Sequence, residues 1–456
     1  MKINKSILRE ADIRGLYPEH ITPELARKLG NVFASYLRSI GEKYCVVGHD
    51  NRFGGPELTG SLIKGLREAG AHVIYIGIVT TPMLNYACHK MEIEYGIQIT
   101  ASHNPSHDNG FKLFGKDYLH MSHEELKIIY DGLLDENFEF KAGRGTLEEV
   151  VVYDPYVRYI TKKINPGNRH LKVVVDPGNG TASIIVKKIY KKLPFNVEFI
   201  NMENDPSFPN HQPDPSMEDN MKQLRKEVLD SGADLGIAYD GDGDRVGIVD
   251  NKGKVIPADK LIGIMAPYIL KENPDKPILY DIKCSNMIKD VVEAQGGTYI
   301  EASASSARQE QFMLEQDCSF GGGYSNHIFF RDNHPGYDDG IYAGLRIHEM
   351  LSHTNKTLHD MVKKLPRYQN SVEIRQYMAE SKKKAFIKNV KNYCENKKYD
   401  ICDIEGVKAY KKNGSWALVR ASNTGPYITV RFEAKTKKDL LKIQKEFLAI
   451  LDIEIK

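Results

Sequence analysis

Three aspartates at alternate positions, Asp240, Asp242 and Asp244, have the clearest capacity for chemistry in this sequence. Glycines separate them, and glycine lets the backbone curl so that carboxylates spaced in this way can converge on one hard divalent cation. Apolar runs at residues 235–239 and 246–249 flank the segment, which favours a buried strand-turn-strand over a solvated acidic turn. The spacing therefore predicts a metal site.

A calcium-binding loop is the first alternative, because it also opens with alternating acidic residues. Such a loop requires glycine at its sixth position and glutamate at its twelfth. Those positions are Arg245 and Asn251 in this chain, so the calcium-loop interpretation is excluded.

A serine loop indicates what the predicted metal site could act on. Ser102 lies in the polar segment Thr100-Ala101-Ser102-His103-Asn104-Pro105, which follows an apolar run at residues 95–99. A serine–histidine pair by itself is usually only part of a loop. A metal held by three anions, however, needs an anionic substrate or a phosphorylated side chain to complete its shell. The two segments together predict a serine that carries a phosphate beside a bound metal.

Three further features could bind an anionic or hydroxylated ligand. The segment from Arg420 to Pro426 (RASNTGP) combines an arginine fork, hydroxyls, an amide and a glycine backbone, which could cradle a phosphate or could be a polar hairpin. The segment from Gly321 to His327 (GGGYSNH) could hydrogen-bond sugar hydroxyls or could be a flexible hairpin tip. Lys112 and Lys283 are candidate cations beside a transferring phosphoryl group, although an isolated lysine is normally a solvated surface residue.

The composition narrows the class of protein. At 456 residues the chain is too long for one hydrophobic core and predicts three or four domains. The 63 basic and 61 acidic residues leave a net charge of +2, which offers no field for nucleic acid or an anionic membrane. Six scattered cysteines favour reduced thiols, and no apolar stretch approaches membrane-spanning length. We therefore expect a cytoplasmic globular protein with a small-molecule substrate, no nucleic-acid partner and no membrane association.

Three segments of the chain share one plan. Short β-branched runs end at Asp50, Asp176 and Asp281, and each is followed by a polar turn and a helical pattern. This alternation predicts related α/β units whose mixed or parallel sheets are covered by helices. After about residue 366 the pattern changes to strands at 371–376, near Trp416 and at 427–433, with helices at 381–394 and 437–451. This last part predicts a smaller α+β domain, an antiparallel sheet backed by two helices.

Short motifs follow one another in a characteristic order along nearly the whole chain. They are D-I-R-G at residues 12–15, T-A-S-H-N-P at 100–105, N-G-F-K at 109–112, D-P-G-N-G at 176–180, F-P-N-H-x-P-D-P at 208–215, D-G-D-G-D-R at 240–245, D-I-K-C at 281–284, Y-D-D-G-I-Y at 337–342 and R-A-S-N-T-G-P at 420–426. Each motif is moderately specific, and the ordered set is highly specific. The set resembles the α-D-phosphohexomutase family, most closely its phosphomannomutase/phosphoglucomutase branch.

The resemblance implies an α/β fold with a four-domain phosphohexomutase-like architecture. Three related α/β domains and a C-terminal α+β domain would surround a central cleft. The domains would span residues 1–150 with a phosphoserine loop, 151–254 with a metal-binding loop, 255–366 with a sugar-binding loop and 367–456 with a phosphate-binding loop. The oligomeric state, monomer or dimer, stays open.

The resemblance also implies a role for individual residues. Ser102 would be the phosphoserine, and its phosphate would hold Mg²⁺ together with Asp240, Asp242 and Asp244. The implied catalytic residues are Ser102, His103, Lys112, Arg245 and Arg14. The implied substrate-binding residues are Lys283, Gly323, Ser325, His327, Arg420, Ser422, Asn423 and Thr424.

The implied activity is the interconversion of sugar 1-phosphate and sugar 6-phosphate, with mannose or glucose or both as the sugar. Phosphoserine would give its phosphoryl group to the free hydroxyl, and the resulting sugar 1,6-bisphosphate would turn end for end and return its other phosphate to Ser102. The bisphosphate would be both intermediate and activator. Two alternatives stay open: a mutase acting on an amino sugar or pentose phosphate, and a degenerate, non-catalytic paralogue that binds sugar phosphates.

The chain departs from the family pattern in the segments with which family members contact the sugar. Gly323 stands in place of a glutamate that ordinarily binds sugar hydroxyls, and Asn326 stands in place of a glycine. Residues 303–307 (SASSA) replace a segment that contains a lysine and a histidine. The serine and metal motifs are retained. We therefore expect phosphoryl transfer with weak discrimination between epimeric hexoses.

Overall fold

The computed structural model of the protein describes residues 3–422 and 426–450. The chain divides into two compact units that alternate along the sequence. The first unit comprises Met1–Pro257 and Ser325–Met361, and the second comprises Ala258–Tyr324 and Val362–Lys456. The chain therefore leaves the first unit after residue 257 and returns to it at residue 325.

The first unit begins with a six-stranded sheet. Its elements are β1 (Asp12–Leu16), α1 (Pro23–Ser39), β2 (Tyr44–His49), α2 (Gly55–Glu68), β3 (His72–Ile78), α3 (Thr81–Met91), β4 (Gly96–Ile99), β5 (Asp108–Phe114), α4 (His123–Leu134) and β6 (Leu147–Glu149). The strand order is β1-β5-β4-β2-β3-β6, and β2 runs parallel to β4 with His49 opposite Ile99. Because parallel strands end at the same edge of a sheet, the residues that follow β2 and β4 lie side by side.

A second sheet of the same unit carries the aspartate segment. Its elements are α5 (Tyr153–Thr161), β7 (Lys172–Asp176), α6 (Val186–Tyr190), β8 (Asn196–Phe199), α7 (Lys222–Ser231), β9 (Leu235–Tyr239), β10 (Val246–Asp250) and β11 (Val255–Ile256), with strand order β11-β10-β9-β7-β8. β9 and β10 pair antiparallel, and every residue of both strands is buried. The predicted buried strand-turn-strand is thus confirmed, with the three aspartates in its turn.

The first half of the second unit is built around one central strand. Its elements are α8 (Ala258–Leu270), β12 (Ile278–Asp281), α9 (Met287–Ala294), β13 (Tyr299–Ala302), α10 (Ser306–Glu315) and β14 (Phe320–Gly322). β12 pairs in parallel with both β13 and β14. The run that ends at Asp281 is therefore a central strand of an α/β layer, as the alternation predicted.

The returning segment and the C-terminal part complete the two units. Their elements are β15 (Ile328–Phe330), α11 (Gly340–Ser352), α12 (Leu358–Lys363), β16 (Gln369–Asn370), β17 (Ile374–Tyr377), α13 (Glu380–Asn396), β18 (Asp400–Cys402), β19 (Val407–Tyr410), β20 (Trp416–Ala421), β21 (Tyr427–Ala434) and α14 (Lys437–Ile450). β16 to β21 form an antiparallel sheet, and residues of α13 and α14 share its hydrophobic core. The predicted antiparallel sheet with two helices is confirmed; the short strands β16, β18 and β19 are additions.

The cysteines and helices complete the description of the fold. No disulfide joins the six cysteines, all of which lie within residues 3–422. Among the helices of residues 3–422 and 426–450, none is long and apolar enough to cross a membrane.

Helix α11 contains an ionisable residue in an apolar setting. His348 is fully buried, and its ring stacks on Phe195 with 3.5 Å between the ring centroids. Neither ring nitrogen has a hydrogen-bond partner among the described residues. Burial lowers the pKa of His348 to about 3. The folded protein therefore holds this histidine in its neutral form.

The lowered pKa of His348 predicts that the protein is less stable in acid. A histidine in the unfolded chain titrates near pH 6.5, so below about pH 6.5 the unfolded state binds a proton that the folded state does not. The free energy of unfolding should fall as the pH drops from about 6.5 towards 3, by up to about 1.4 kcal/mol per pH unit from this group. In His348→Phe this slope should flatten, as measured by urea unfolding at pH 7.5 and pH 4.5. His353→Gln, at an exposed position just after the same helix, is the control; equal slopes in all three proteins would contradict the prediction.

Candidate active site

The serine loop starts where β4 ends. Ser102 is buried, and its φ of 52° lies in the left-handed region, which a non-glycine residue adopts only when its surroundings hold it there. Its backbone N–H donates to Thr100 Oγ1 at 2.8 Å, and Thr100 Oγ1 donates to Asp50 Oδ2 at 2.6 Å. Asp50 follows the neighbouring parallel strand β2. The sheet edge thus fixes the position of the hydroxyl.

A buried arginine holds the outer side of this loop. Arg52 Nη2 donates to the carbonyl oxygens of Ser102 and Asn104, both at 2.6 Å, and Nη1 donates to that of Pro105 at 2.7 Å. Its Nε lies 3.2 Å from Asp50 Oδ2, and both side chains of this ion pair are completely buried. Arg52 was not among the predicted site residues, because nothing in the sequence shows that its guanidinium faces three carbonyls of a loop fifty residues away.

The aspartate turn lies against the serine loop. A Cβ added to Gly241 would lie only 2.5 Å from the carbonyl oxygen of Ser102, so only glycine permits this approach. Ser102 Oγ donates to Asp240 Oδ2 at 3.1 Å. The predicted proximity of the hydroxyl and the carboxylates is therefore present in the structure.

The three carboxylates fit a metal ion. Asp240, Asp242 and Asp244 are completely buried, and one ligand oxygen from each lies within 4.8 Å of the others. Asp242 Oδ1 and Asp244 Oδ1 receive no hydrogen bond from the described residues. A buried carboxylate oxygen without a donor is costly, and a divalent cation would satisfy both oxygens. Sequence analysis missed Thr81, whose hydroxyl donates to Asp242 Oδ2 at 2.5 Å.

Two cations offset part of this negative charge. Lys112 Nζ donates to Asp242 Oδ2 at 2.7 Å and forms a second ion pair with Asp244. Arg245 Nε lies 3.7 Å from Asp240 Oδ2 and 3.9 Å from Asp244 Oδ1. Lys112 and Arg245 therefore form ion pairs with the three carboxylates, and Arg14 and Arg52 add further positive charge that acts on Asp242.

Burial and charge shift the pKa values of these groups in opposite directions. Burial raises the pKa of Asp240 well above its usual range, and the charges of the two neighbouring aspartates add to this effect. Burial acts in the same sense on Asp244, but the neighbouring positive charges, foremost Lys112, outweigh it and hold the Asp244 pKa far below its usual value. Burial would lower the pKa of Lys112, yet Asp242 and Asp244 raise it. The charged form of Asp240 would therefore be favoured by a further positive partner.

The other predicted catalytic residues border the serine. His103 Nδ1 lies 3.2 Å from Ser102 Oγ. Burial, together with the positive charges of Arg245 and Arg14, lowers the pKa of His103 well below its usual range, so its imidazole is neutral. Arg14 Nη1 donates to Asn104 Oδ1 at 2.9 Å and also pairs with Asp12. The structure thus brings Arg14 and His103 to the serine loop.

His327 lies in the first unit, next to the aspartate turn. Its Nδ1 is 2.7 Å from Asp338 Oδ2 and 3.9 Å from Asp244 Oδ1. Burial, followed by the positive charge of Arg245, lowers the pKa of His327 well below its usual range. Asp338 was quoted within the Y-D-D-G-I-Y motif but received no role from the sequence. Ser325 is half-buried in the same returning segment, and the predicted sugar contacts of Ser325 and His327 stay predictions.

In the second unit, a buried aspartate aligns two other predicted segments. Asp281 Oδ1 accepts from the backbone N–H of Lys283 at 2.7 Å, and Asp281 Oδ2 accepts from that of Tyr324 at 2.7 Å. A Cβ at Gly323 would lie 2.8 Å from both Asp281 Oδ2 and Gln309 Nε2. Asp281 and Gln309 therefore occupy the space beside Gly323, and a larger side chain at this position would have to displace the Gln309 amide.

The predicted phosphate-binding loop follows β20. Arg420 forms an ion pair with Glu405, and Lys383 Nζ donates to the backbone oxygen of Ser422 at 2.8 Å. The predicted ligands Asn423 and Thr424 lie outside the described residues. Sequence analysis missed Glu405 and Lys383, because a single acidic or basic residue in a polar stretch carries no distinguishing signal.

Four domain models of one protein family match this chain. The three phosphoglucomutase/phosphomannomutase alpha/beta/alpha domain models match in order, domain I at residues 5–140, domain II at 154–253 and domain III at 257–368, and the C-terminal domain model matches residues 373–450. The chain belongs to the phosphoglucomutase/phosphomannomutase family. Its architecture is that of the family, three α/β domains and a C-terminal domain, as predicted. The predicted boundaries between these domains stay predictions.

Full-length relatives of this phosphoglucomutase/phosphomannomutase family share about a third of the sequence. The chain is similar to the phosphomannomutase/phosphoglucomutase of Pseudomonas syringae pv. tomato, at 35% identity over 98% of this chain and 95% of the relative. It is similar to the phosphomannomutase of Methanocaldococcus jannaschii at 32% identity, over 98% and 99% of the two chains. The crystal structure of a phosphoglucomutase/phosphomannomutase family protein from Burkholderia thailandensis superposes with a TM-score of 0.91 at 31% identity, over 98% of this chain and 97% of that one.

Proposed function

We propose that the protein is a phosphohexomutase that interconverts the 1-phosphate and 6-phosphate of glucose, mannose or both. The observation that carries this proposal is the hydrogen bond from Ser102 Oγ to Asp240 Oδ2, 3.1 Å long, at the edge of a buried group of three carboxylates. A hydroxyl held against a metal-binding carboxylate is suited to carry a phosphate. The domains proposed for this activity are residues 1–150, 151–254, 255–366 and 367–456.

The reaction uses phosphorylated Ser102 as the donor. The bond between Ser102 Oγ and phosphorus breaks while a bond forms between phosphorus and the free hydroxyl oxygen of a sugar phosphate. The sugar hydroxyl gives up its proton to solvent, and Ser102 Oγ takes up a proton, so that the free serine hydroxyl is regenerated. Lys112 and Arg245, the two cations at the carboxylate group, stabilise the charge that spreads over the phosphoryl oxygens. His103 Nδ1, neutral and 3.2 Å from Ser102 Oγ, can hydrogen-bond the hydroxyl after transfer. The resulting bisphosphate then returns its other phosphoryl group to Ser102.

The metal proposed for this site is Mg²⁺. Asp240, Asp242 and Asp244 would hold it together with the phosphate on Ser102, and a bound Mg²⁺ supplies charge stabilisation to the transferring group. The donor-free oxygens of Asp242 and Asp244 support this assignment. A sugar 1,6-bisphosphate is the proposed activator, because transfer of one of its phosphoryl groups to unmodified Ser102 yields phosphoserine and a sugar monophosphate.

The remaining proposed substrate contacts come from the second unit and from the returning segment of the first unit. Arg420 and the loop that follows it, with Ser422, Asn423 and Thr424, would bind the phosphate that does not react. Lys283, Gly323, Ser325 and His327 would contact the sugar. A non-catalytic paralogue is the weaker candidate, since such a protein has no need for buried carboxylate oxygens that lack donors.

A panel of sugar phosphates tests the function. We expect turnover of glucose 1-phosphate and mannose 1-phosphate with kcat/KM values that agree within about tenfold, equivalent to about 1.4 kcal/mol. The reason is that Gly323 offers no side chain to pair with one epimer, so a mismatched hydroxyl leaves no buried partner unsatisfied. Coupled assays on one phosphorylated preparation, with N-acetylglucosamine 1-phosphate and ribose 1-phosphate included, give the comparison. Turnover confined to the amino sugar or the pentose would replace the proposed substrate class, and absence of turnover on every sugar would support the non-catalytic alternative.

The metal assignment predicts the behaviour of Asp242→Asn. The amide cannot neutralise a divalent cation, and Mg²⁺ demands a near-ideal oxygen shell, so activity should fall by at least about a hundredfold while the far-ultraviolet circular dichroism stays unchanged. Chelation of the wild-type protein should have the same effect, and added Mg²⁺ should restore activity to the wild type alone. Asp250→Asn, which changes a buried aspartate at the far end of β10, is the matched control. Full activity in excess chelator would exclude the metal role.

A further inference from the structure

One carboxylate of the second unit joins the predicted phosphate-binding arginine to the segment that departs from the family. Glu405 Oε1 forms an ion pair with Arg420, and the side chain of each partner is 12% exposed. Glu405 Oε2 accepts from Ser303 Oγ and from the backbone N–H of Ala304, both at 2.8 Å. The two oxygens of one carboxylate therefore act on two different segments.

The backbone next to Glu405 holds its carboxylate close to Arg420. Gly406 has a φ of 81°, and a Cβ added to it would lie 2.4 Å from the carbonyl oxygen of Val419 and 2.7 Å from the Cα of Arg420. Only glycine allows the turn to lie directly on β20 in this way. The turn at Gly406 packs against β20, the strand that contains Arg420, and so places the Glu405 carboxylate beside Arg420.

The segment on the other side of Glu405 is also held in place. Gln309 Nε2 donates to the backbone oxygen of Ser303 at 2.9 Å, and the same amide fills the space beside Gly323. A continuous set of contacts thus runs from Gly323 through Gln309, Ser303 and Glu405 to Arg420. Residues 303–307 are the ones that replace the lysine and histidine of the family pattern, so this set of contacts belongs to the altered part of the chain.

Glu405 is ionised at neutral pH. Burial alone would raise its pKa, but the positive charge of Arg420 and the hydrogen bonds from Ser303 and Ala304 outweigh burial and lower it. A charged carboxylate fixed by two donors at one oxygen presents the other oxygen to the guanidinium in a single orientation.

We propose that Glu405 is the positioning residue of the phosphate-binding arginine, tying Arg420 to the segment at residues 303–304 so that the guanidinium is ordered before a sugar phosphate arrives. The proposal rests on the proposed function, in which Arg420 binds the non-reacting phosphate. An arginine loses much of its rotamer freedom when it binds, and a side chain ordered in advance avoids that loss. Glu405 touches neither substrate nor reacting atoms; it acts through Arg420.

Glu405→Gln tests the proposal. Glutamine keeps the size of the side chain and an oxygen that can accept from Ser303 and Ala304, but its amide group cannot pair with a guanidinium. We expect the KM for glucose 1-phosphate to rise about tenfold, the effect of losing one pre-ordered side chain, with kcat changed by less than about twofold. Asp403→Asn is the matched control, since it removes a carboxylate two residues away that pairs with exposed Lys391, and its KM should equal that of the wild type.

A double-mutant comparison separates positioning from a general structural effect. In an Arg420→Ala background the further change Glu405→Gln should alter kcat/KM by less than about twofold, because the group that Glu405 positions is gone. Additive losses would show that Glu405 acts independently of Arg420 and would overturn the proposal. A fall in KM in Glu405→Gln would also overturn it, because the carboxylate would then be a competitor of the substrate phosphate.

A second variant covers the case in which Glu405→Gln fails to fold. Ser303→Ala removes one anchor of Oε2 while leaving both Glu405 and Arg420, and should raise the KM about threefold. If the wild type turns over none of the sugars, the proposed function fails, and the test becomes the rise in melting temperature caused by inorganic phosphate, which should be smaller in Ser303→Ala than in wild type. An unchanged KM or an equal rise overturns the positioning role.

Discussion

Replacing Ser102 by alanine is expected to abolish mutase turnover, with a loss of at least about four orders of magnitude in kcat. The hydroxyl that donates to Asp240 Oδ2 is the proposed carrier of the phosphoryl group, and alanine has no oxygen to carry it. Incubation with glucose 1,6-bisphosphate followed by peptide mass spectrometry should find one phosphate on the wild-type peptide that contains Ser102 and none on the variant.

Ser106→Ala is the matched control for this experiment. It removes a second hydroxyl from the same polar stretch, four residues along the chain, and should leave both phosphorylation and turnover unchanged. If Ser102→Ala were still labelled by the bisphosphate, another residue would be the carrier and the proposed mechanism would be wrong.

Arg52→Lys should cause the second largest effect, although the charge is conserved. Lysine has no planar fork and cannot donate to the carbonyl oxygens of Ser102, Asn104 and Pro105 at once, as Arg52 does. Those carbonyls and Asp50 would lose partners in a buried site, so we expect the free energy of unfolding to drop by about 2–4 kcal/mol. The Ser102 φ of 52° depends on this support, and kcat should fall by at least about a hundredfold.

Urea unfolding and turnover measured on the same preparation test this expectation. Arg67→Lys is the control, since Arg67 Nε donates to one partly buried backbone oxygen, that of Gly145, at 3.1 Å. It should lose less than about 1 kcal/mol and no activity. Wild-type kcat in Arg52→Lys would mean that the serine loop keeps its conformation without the guanidinium.

The elements of the fold were predictable where the hydrophobic period was strong. The buried hairpin of β9 and β10 and the central strand β12 follow from short runs whose residues are almost all apolar. The strands β18 and β19 were missed, because Asp400–Cys402 is a three-residue strand with an exposed first residue and carries no period of its own. Such short strands form because a neighbouring strand offers backbone hydrogen bonds. The sequence alone does not show which strands are neighbours.

The site was predictable to the extent that its chemistry lies in short motifs. The three aspartates and Ser102 stand out by type and spacing, although the hydrogen bond that joins Ser102 to Asp240 spans 138 positions of the chain. Arg52, Thr81 and Asp338 could not be recognised as site residues from the sequence, because each contacts a group on a distant segment of the chain. The resemblance assigned His327 to substrate binding, and that role stays a prediction; its hydrogen-bond distance to Asp338 in the first unit was not predicted.

The alternation of the two units along the chain has a consequence for biosynthesis. The aspartate turn is complete once residue 245 has been made, but the residues that close over it come later: Gly340 N–H donates to the carbonyl oxygen of Gly243 at 3.2 Å, and helix α11 packs on β9 and β10. Because a chain emerges from the ribosome N-terminus first, all of residues 258–324 must be translated before that cover exists. The aspartate turn is therefore synthesised before the returning segment that packs on it, and a segment that belongs to the other unit is made in between.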